Sequence, residues 1–141
     1  MNYRIFCDGG ARGNPGPAAC GCVIEVEVKP AQWRVVARLA KFIGQATNNQ
    51  AEYQAVLLAL NHLKANQAKL KADQVSLNLD SELVTKQLRG EYRVKHIELK
   101  PLFWQVRELV LQLVKVEFYH ISRAKNSIAD RLVNLELNKH Q

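Results

Sequence analysis

The hydrophobic period of this chain changes once, from two residues to about 3.6, and this change restricts the folds open to it. Before the change, the segments ACGCVIEVEVK and WRVVARLAKFIG alternate apolar and polar residues. Glu25 and Glu27 fall on the polar side of the first segment, and two arginines fall on that of the second. The opposite sides carry Cys20, Cys22, Ile24, Val26 and Val28, then Trp33, Val35, Ala37 and Leu39. With a short strand at Tyr3 to Asp8, the pattern predicts an antiparallel meander of three strands.

After Gly44 the period becomes helical. In NNQAEYQAVLLALNHLKANQ, alanines and leucines recur three to four residues apart, and Asn48 or Asn49 is expected to cap the helix. The chain then continues with VSLNLD as a fourth strand, SELVTKQLRG and PLFWQVRELVLQLV as helices, VEFYHIS as a fifth strand, and SIADRLVNLELNK as a terminal helix. The order βββαβααβα predicts one α/β domain over residues 1–141. Its five-stranded mixed sheet has three antiparallel strands and two strands that enter through helical crossovers, with helices flanking the sheet.

Composition narrows the functional classes. The formal net charge is +7 and is spread along the chain, which favours a polyanionic partner such as nucleic acid. The alternative is a basic domain without such a partner. No apolar run is long enough to span a membrane, and the start MNYRIF does not resemble a secretion signal. Three cysteines on predicted strands indicate buried, reduced thiols, so we expect a cytoplasmic location and no membrane contact.

Four acidic residues stand at the ends of predicted elements. Asp8 ends the first strand, Asp80 ends the fourth, and Glu52 and Asp130 lie in the first turns of two helices. Each alone has an ordinary explanation as a turn, cap or helix-dipole residue. If the first and fourth strands are neighbours, however, Asp8 and Asp80 lie side by side and repel each other unless a cation separates them. Oxygen ligands of this kind suit magnesium, and such a cluster can hold two ions about 4 Å apart.

The short sequence motifs around these acids resemble those of a known protein family. DGGARGNPG, TNNQAEYQAVLLAL, LDSELV and NSIADRLVN occur in this order and resemble the four sequence blocks of type 1 ribonuclease H, from Tyr3 to about Asn134. The resemblance implies a ribonuclease H-like fold and an endonuclease that hydrolyses the RNA strand of RNA/DNA hybrids. It also implies two Mg²⁺ ions, for which Mn²⁺ can substitute, and products with 5′-phosphate and 3′-hydroxyl ends. The partner is then a hybrid duplex, and we expect a monomer.

The resemblance also implies roles for individual residues. The family's four metal-binding acids match Asp8, Glu52, Asp80 and Asp130. Asp8 is expected to bridge both ions, and Glu52 also to contact a ribose 2′-hydroxyl. The substrate contacts match Asn14, Asn48 and Asn49 in the minor groove of the hybrid and Thr47 at a DNA phosphate. The glycines of the first loop are expected to let the backbone approach the sugar–phosphate chain.

The sequence departs from many type 1 enzymes in two segments. HISRAKNSIAD is short where a mobile loop with a histidine is common, so His120 is expected on the strand in a structural role. Arg123 or Lys125 could instead orient a phosphate. LRGEYRVKHIELKP is too short for a separate basic helix and loop, and its cations either contact phosphates or form a solvated turn. Those cations are Arg89, Arg93, Lys95 and Lys100.

Predictions also follow for Glu82, two residues after Asp80, and for Trp104 in the helical segment PLFWQVRELVLQLV. Glu82 is a further acid that would either make the geometry of metal binding less strict or face water. Trp104 is expected to pack within a helical interface.

Three other functions are compatible with parts of the pattern. A binding module with an inactive site is disfavoured because all four acids are present. A nuclease or integrase acting on DNA is disfavoured because the three asparagines favour a ribose-bearing strand. The hypothesis of a nucleotide-binding enzyme has little support, because the glycine loop lacks the Lys-Ser/Thr pair of a P-loop.

Overall fold

A computed structural model describes residues 1–141 as a five-stranded sheet with helices on both faces. The strands are β1 (Asn2–Ala11), β2 (Gly16–Lys29), β3 (Gln32–Ala46), β4 (Gln74–Leu79) and β5 (Lys115–His120). The helices are α1 (Asn48–Ala65), α2 (Gln67–Leu70), α3 (Glu82–Leu88), α4 (Lys100–Gln112) and α5 (Ser127–Asn138), the last preceded by a 3₁₀ turn at Arg123–Asn126. The predicted order is confirmed, with the single-turn helix α2 as an addition.

The strand order in the sheet is β3-β2-β1-β4-β5. β1, β2 and β3 pair antiparallel, whereas β4 pairs parallel to β1 and β5 parallel to β4. The predicted mixed sheet with two crossover strands is therefore confirmed. β1 is the central strand, and its neighbour β4 is reached only after the chain has passed through β2, β3 and α1.

The sheet buries both faces, each against different helices. The larger core lies between one face and helices α1 and α4, and includes the three cysteines as free thiols. The smaller core lies on the opposite face, where Val133 and Leu137 of α5 pack on Ala19. No helix is long and apolar enough to cross a membrane.

Three local predictions are wrong. Val28 is exposed because it lies at the far end of β2, beyond the core. Thr47, rather than Asn48 or Asn49, caps α1: its hydroxyl accepts a hydrogen bond from Gln50 N, and Gln50 Oε1 accepts one from Thr47 N. Trp104 is 63% exposed, because α4 turns Val106 and Leu109 toward the core and its tryptophan toward solvent.

Gly9 permits the close approach of α1 to β1. A Cβ atom at this position would lie 2.2 Å from the backbone carbonyl of Ala51 and 2.5 Å from Glu52 N. Gly16 is confined similarly by its own loop, because a Cβ there would lie 2.2 Å from the carbonyl oxygen of Arg12. At both positions a neighbouring backbone requires the glycine, and approach of the loop to a sugar–phosphate chain stays a prediction.

We expect Gly9→Ala to destabilise the fold by about 3 kcal/mol, because helix backbone must move to admit the methyl group. Gly10→Ala is the matched control, since a Cβ there meets only Val133 Cγ1 at 3.8 Å, an ordinary contact. Chemical denaturation of both variants measures the difference. Equal stability of the two variants would contradict the proposed role of Gly9 in packing.

Candidate active site

Parallel pairing of β1 with β4 brings Asp8 and Asp80 together. The last residues paired between these strands are Cys7 and Leu79, so each aspartate directly follows the last pair along its own chain segment. β1 itself continues to Ala11 beside β2, where Asp8 is paired with Gly21. Asp8 therefore lies where β4 ends, and not at the end of its own strand as predicted. The topology of the sheet makes the two residues neighbours.

Glu52 reaches the same point from α1, where it lies just beyond the first turn and not within it as predicted. Its Oε1 accepts a hydrogen bond of 2.9 Å from the backbone N–H of Gly9, and its side chain is almost fully buried. Its Oε2 is buried without any hydrogen-bond partner. Carboxylate oxygens of Asp8, Glu52 and Asp80 lie within 4.8 Å of one another. Three of the four predicted acids thus form one cluster.

Asp130 lines the same open cavity of about 700 Å³ as the three clustered acids. It lies in the first turn of α5 and is exposed, so it stands outside the group of three buried or half-buried acids. Its negative charge nevertheless contributes to the raised pKa of Asp8. The fourth acid is therefore placed at the site, but in a more solvated position.

Burial and mutual repulsion disfavour the charged forms of the cluster. Loss of solvation, joined by the charges of Asp80 and Asp130 and opposed by a contact with Glu52 that lowers it, raises the pKa of Asp8 to about 7. Burial, followed by the charge of Asp8, raises the pKa of Glu52 well above its usual value, while the hydrogen bond from Gly9 opposes this. A cation at the cluster would remove the repulsion.

The donor set fits a hard divalent cation. All of the clustered side chains offer oxygen, and Glu52 contributes a buried oxygen that no protein group satisfies. Carboxylates with room for water and phosphate oxygens are the usual environment of Mg²⁺. No cysteine or histidine belongs to the cluster, which distinguishes it from a zinc site.

The residues predicted to contact substrate lie beside the acids. Asn48 lines the cavity, its Oδ1 accepts from Ala11 N, and its own backbone N–H donates to Asn14 Oδ1 at 3.0 Å. These bonds tie the β1–β2 loop to the start of α1 and use only the amide oxygens, leaving both Nδ2 groups without a protein acceptor. Thr47 is occupied as the helix cap, and Asn49 follows Asn48 in the first turn of α1.

Several residues that line the cavity or contact the cluster were missed in the sequence. Arg12 lines the cavity and donates to Asn138 Oδ1 of α5 at 2.7 Å. Ser127 also lines the cavity. Asn126 is buried and donates to Asp80 Oδ2 at 3.0 Å. Asn126 opens the NSIADRLVN block, but its proximity to Asp80 depends on the 3₁₀ turn and the β4–β1 pairing, which the block does not reveal.

The positions of four residues near the acids bear on roles that the sequence left open. Arg123 lines the cavity, whereas Lys125 lies in a different depression on the sheet face with Arg4 and Phe6. His120 ends β5 as predicted, is exposed, and places Nε2 3.2 Å from the backbone oxygen of Asp80. Glu82 is exposed and pairs with Lys86 at 3.0 Å, outside the acid cluster.

The segment between α3 and α4 contains no helix, as predicted. Arg89 is engaged structurally, with Nη1 donating to the carbonyl of Phe118 and Nε paired with Glu91. Arg93 and Lys95 border a shallow depression with Tyr92, and Lys86 lies 4.9 Å from the centre of the Tyr92 ring. Most of the cations of this segment are therefore solvated, and phosphate contacts by them remain a prediction.

Comparison with known proteins places this arrangement in a family. Residues 6–136 match the family described as reverse transcriptase-like. The structure of LC11-RNase H1, in complex with an RNA/DNA hybrid, is 40% identical to the chain and superposes with a TM-score of 0.89, covering 98% of both chains. The chain belongs to the type 1 ribonuclease H family.

Two other relatives support the assignment. RNase H1 from the halophilic archaeon Halobacterium salinarum is 37% identical, with a TM-score of 0.87 over 99% of both chains. The N-terminal RNase H domain of a Mycobacterium tuberculosis protein is 37% identical, with a TM-score of 0.82 over 95% of this chain and 97% of that one.

Curated sequences show how much of the longer relatives the family domain represents. A protein of M. tuberculosis called bifunctional is 38% identical over 134 residues, but the chain spans only 35% of its length. Ribonuclease HI of H. salinarum is also 38% identical, over 135 residues, and the chain spans 64% of that protein. The chain therefore spans only part of the length of these curated relatives.

Proposed function

We propose that this protein is an endonuclease that hydrolyses the RNA strand of RNA/DNA hybrids by two-metal-ion catalysis, leaving 5′-phosphate and 3′-hydroxyl ends. The observation that carries the proposal is the cluster of Asp8, Glu52 and Asp80 within 4.8 Å, together with the buried Glu52 Oε2, which has no hydrogen-bond partner. Family membership and the hybrid bound to LC11-RNase H1 support the choice of substrate.

The acids are proposed to hold two Mg²⁺ ions, with Mn²⁺ as a substitute. Asp8, Glu52 and Asp80 would hold the ions, with Asp8 serving both of them as the family resemblance implies, and Asp130 would complete the coordination from the solvated side. When bound, the ions supply activation of the attacking water and stabilisation of the leaving 3′-oxygen. The Gly9 N–H holds one oxygen of Glu52 and so leaves the other free for a cation or a ribose hydroxyl.

Substrate recognition is assigned to the polar groups beside the acids. The Nδ2 groups of Asn14 and Asn48 are free to donate to the minor groove, and the amide oxygens of both residues fix their side chains in place. Ribose 2′-hydroxyls in a wide minor groove distinguish an RNA strand from DNA. Asn49 would contact the same groove, and the Thr47 hydroxyl, an acceptor toward Gln50 N, can still donate to a DNA phosphate.

The net charge of +7 supports association with a polyanion and predicts binding that weakens as salt is raised. The chain is proposed to act as a monomer in the cytoplasm. Size-exclusion chromatography with light scattering tests the first of these statements, and localisation in cells of the source tests the second.

The test uses one labelled RNA strand presented in three ways: paired with DNA, paired with RNA, and alone. We expect cleavage of the hybrid only, dependent on Mg²⁺ and abolished by EDTA, with product ends defined by phosphatase treatment and 3′-end labelling. Binding to the hybrid without cleavage would instead indicate a module with an inactive site. Cleavage of all three forms would contradict recognition of the hybrid.

We expect Arg123→Ala to lower kcat about tenfold to a hundredfold, and His120→Ala to change it less than about fivefold. Arg123 lines the cavity and can orient a phosphate, whereas His120 lies on β5 and does not line it. Steady-state kinetics on the hybrid at saturating Mg²⁺ measures both variants. A thousandfold loss in His120→Ala would show that the proton-handling residue has been misplaced.

A further inference from the structure

Asn126 contacts Asp80 directly and lies close in the chain or in space to the residues that carry two other acids. It is 1% exposed, and its Nδ2 donates to the backbone oxygen of Cys7 at 2.8 Å and to Asp80 Oδ2 at 3.0 Å. Cys7 immediately precedes Asp8, and Asn126 itself immediately precedes α5, which carries Asp130 in its first turn. Because both partners are acceptors, only the NH₂ group of the amide can face them.

The hydrogen bond to Cys7 also lies at the point where the pairing of β1 with β4 ends. Cys7 and Leu79 are the last paired residues of β1 and β4, so beyond them β1 has lost its neighbour on that side. Asn126 supplies a donor at this position and simultaneously reaches the carboxylate that follows β4. A buried carbonyl left without a donor would be costly.

An amide is chemically suited to this position. A neutral N–H donor restrains one oxygen of Asp80 and leaves its charge for a cation, whereas a lysine or arginine would supply a competing positive charge. A hydrogen-bonded carboxylate presents its remaining lone pairs in a fixed direction, and partners of metal ligands commonly set both affinity and orientation in this way.

We propose that Asn126 is a positioning residue that fixes Asp80 for divalent-cation binding, without itself touching the cation or the substrate. This inference rests on the proposed metal-dependent function of the same site. It assigns the residue an effect on cation affinity beyond any effect on folding.

The variant that tests the proposal is Asn126→Ala, with Asn78→Ala as its matched control. Asn78 lies on β4 two residues before Asp80, and its Nδ2 donates to the backbone oxygen of Ile5 on β1 at 3.1 Å. The control thus removes an amide that bonds the same strand but contacts no acid. Both variants lose one side-chain hydrogen bond to β1.

Two readouts are taken across a Mg²⁺ titration: the shift of the melting temperature without substrate, and the rate of hybrid cleavage. For Asn126→Ala we expect the half-saturating Mg²⁺ concentration to rise about tenfold or more in both readouts. For Asn78→Ala we expect the wild-type midpoint. If Asn126→Ala is unfolded, Asn126→Ser is measured in the same way and is also expected to raise the midpoint.

An unchanged Mg²⁺ midpoint in a folded Asn126 variant would overturn the proposal, even if its melting temperature fell. The melting readout separates this failure from failure of the proposed function. A wild-type protein that is stabilised by Mg²⁺ but cleaves no hybrid would contradict the function, while leaving the midpoint comparison valid. A wild-type protein that is not stabilised by Mg²⁺ at all would overturn the inference itself.

Discussion

Replacing Asp80 by asparagine is expected to lower the rate of hybrid cleavage by about a thousandfold or more while preserving the fold. The substitution keeps the size of the side chain and its contact with Asn126, but it removes one negative charge from the cluster with Asp8 and Glu52. Hybrid binding should be largely retained, because the proposed groove contacts come from asparagines on other elements. The measurements are single-turnover cleavage and fluorescence anisotropy with a labelled hybrid.

Glu82→Gln is the matched control for this experiment. Glu82 lies two residues beyond Asp80, is exposed and pairs with Lys86, so neutralising it removes a nearby charge without altering the cluster. Activity close to that of the wild type is expected. Wild-type turnover in Asp80→Asn would refute the metal assignment, and an equal loss in both variants would indicate a general electrostatic effect.

The second large effect concerns stability without metal. In EDTA at pH 8, Asp8→Asn is expected to raise the free energy of unfolding by about 2–4 kcal/mol, or roughly 5–15 °C in Tm. The pKa of Asp8 is raised in the folded protein to about 7 by burial and by neighbouring carboxylates. A raised pKa means that the folded state holds the proton more tightly than the unfolded state.

The sign of the pH dependence follows from that difference. Below the ordinary pKa of an aspartate, near 3.8, Asp8 is protonated in both states and carries no penalty. As the pH rises from there to about 7, the unfolded state ionises first and stability falls. The gain from Asp8→Asn should therefore be absent near pH 4 and complete at pH 8.

Thermal unfolding at both pH values measures this gain, with and without Mg²⁺. Added Mg²⁺ should stabilise the wild type at pH 8 and should stabilise Asp8→Asn much less. Asp73→Asn is the control, because Asp73 is exposed and pairs only with the N-terminal ammonium. A fall in stability of Asp8→Asn at pH 8 in EDTA would show that repulsion within the cluster is not the dominant effect.

Several features of the protein are determined locally and were therefore readable from the sequence. The alternation in β2 and β3, the helical period of α1 and the turn residues between elements predicted the element order. These are short-range patterns, because each depends on which side of a strand or helix a residue occupies. The four acids could be named in advance because each lies within a distinctive sequence motif.

The tertiary structure decided how those acids relate to one another. Parallel pairing of β1 with β4 places Asp8 beside Asp80, although 71 residues separate them along the chain, and leaves Asp130 in a more solvated position. The same three-dimensional contacts explain what sequence patterns missed. Gly9 is required by the backbone of α1, Trp104 faces solvent because α4 buries another side, and Asn126 reaches Asp80 from the turn before α5. Periodicity reports the face on which a side chain lies, but only packing determines which distant group it meets.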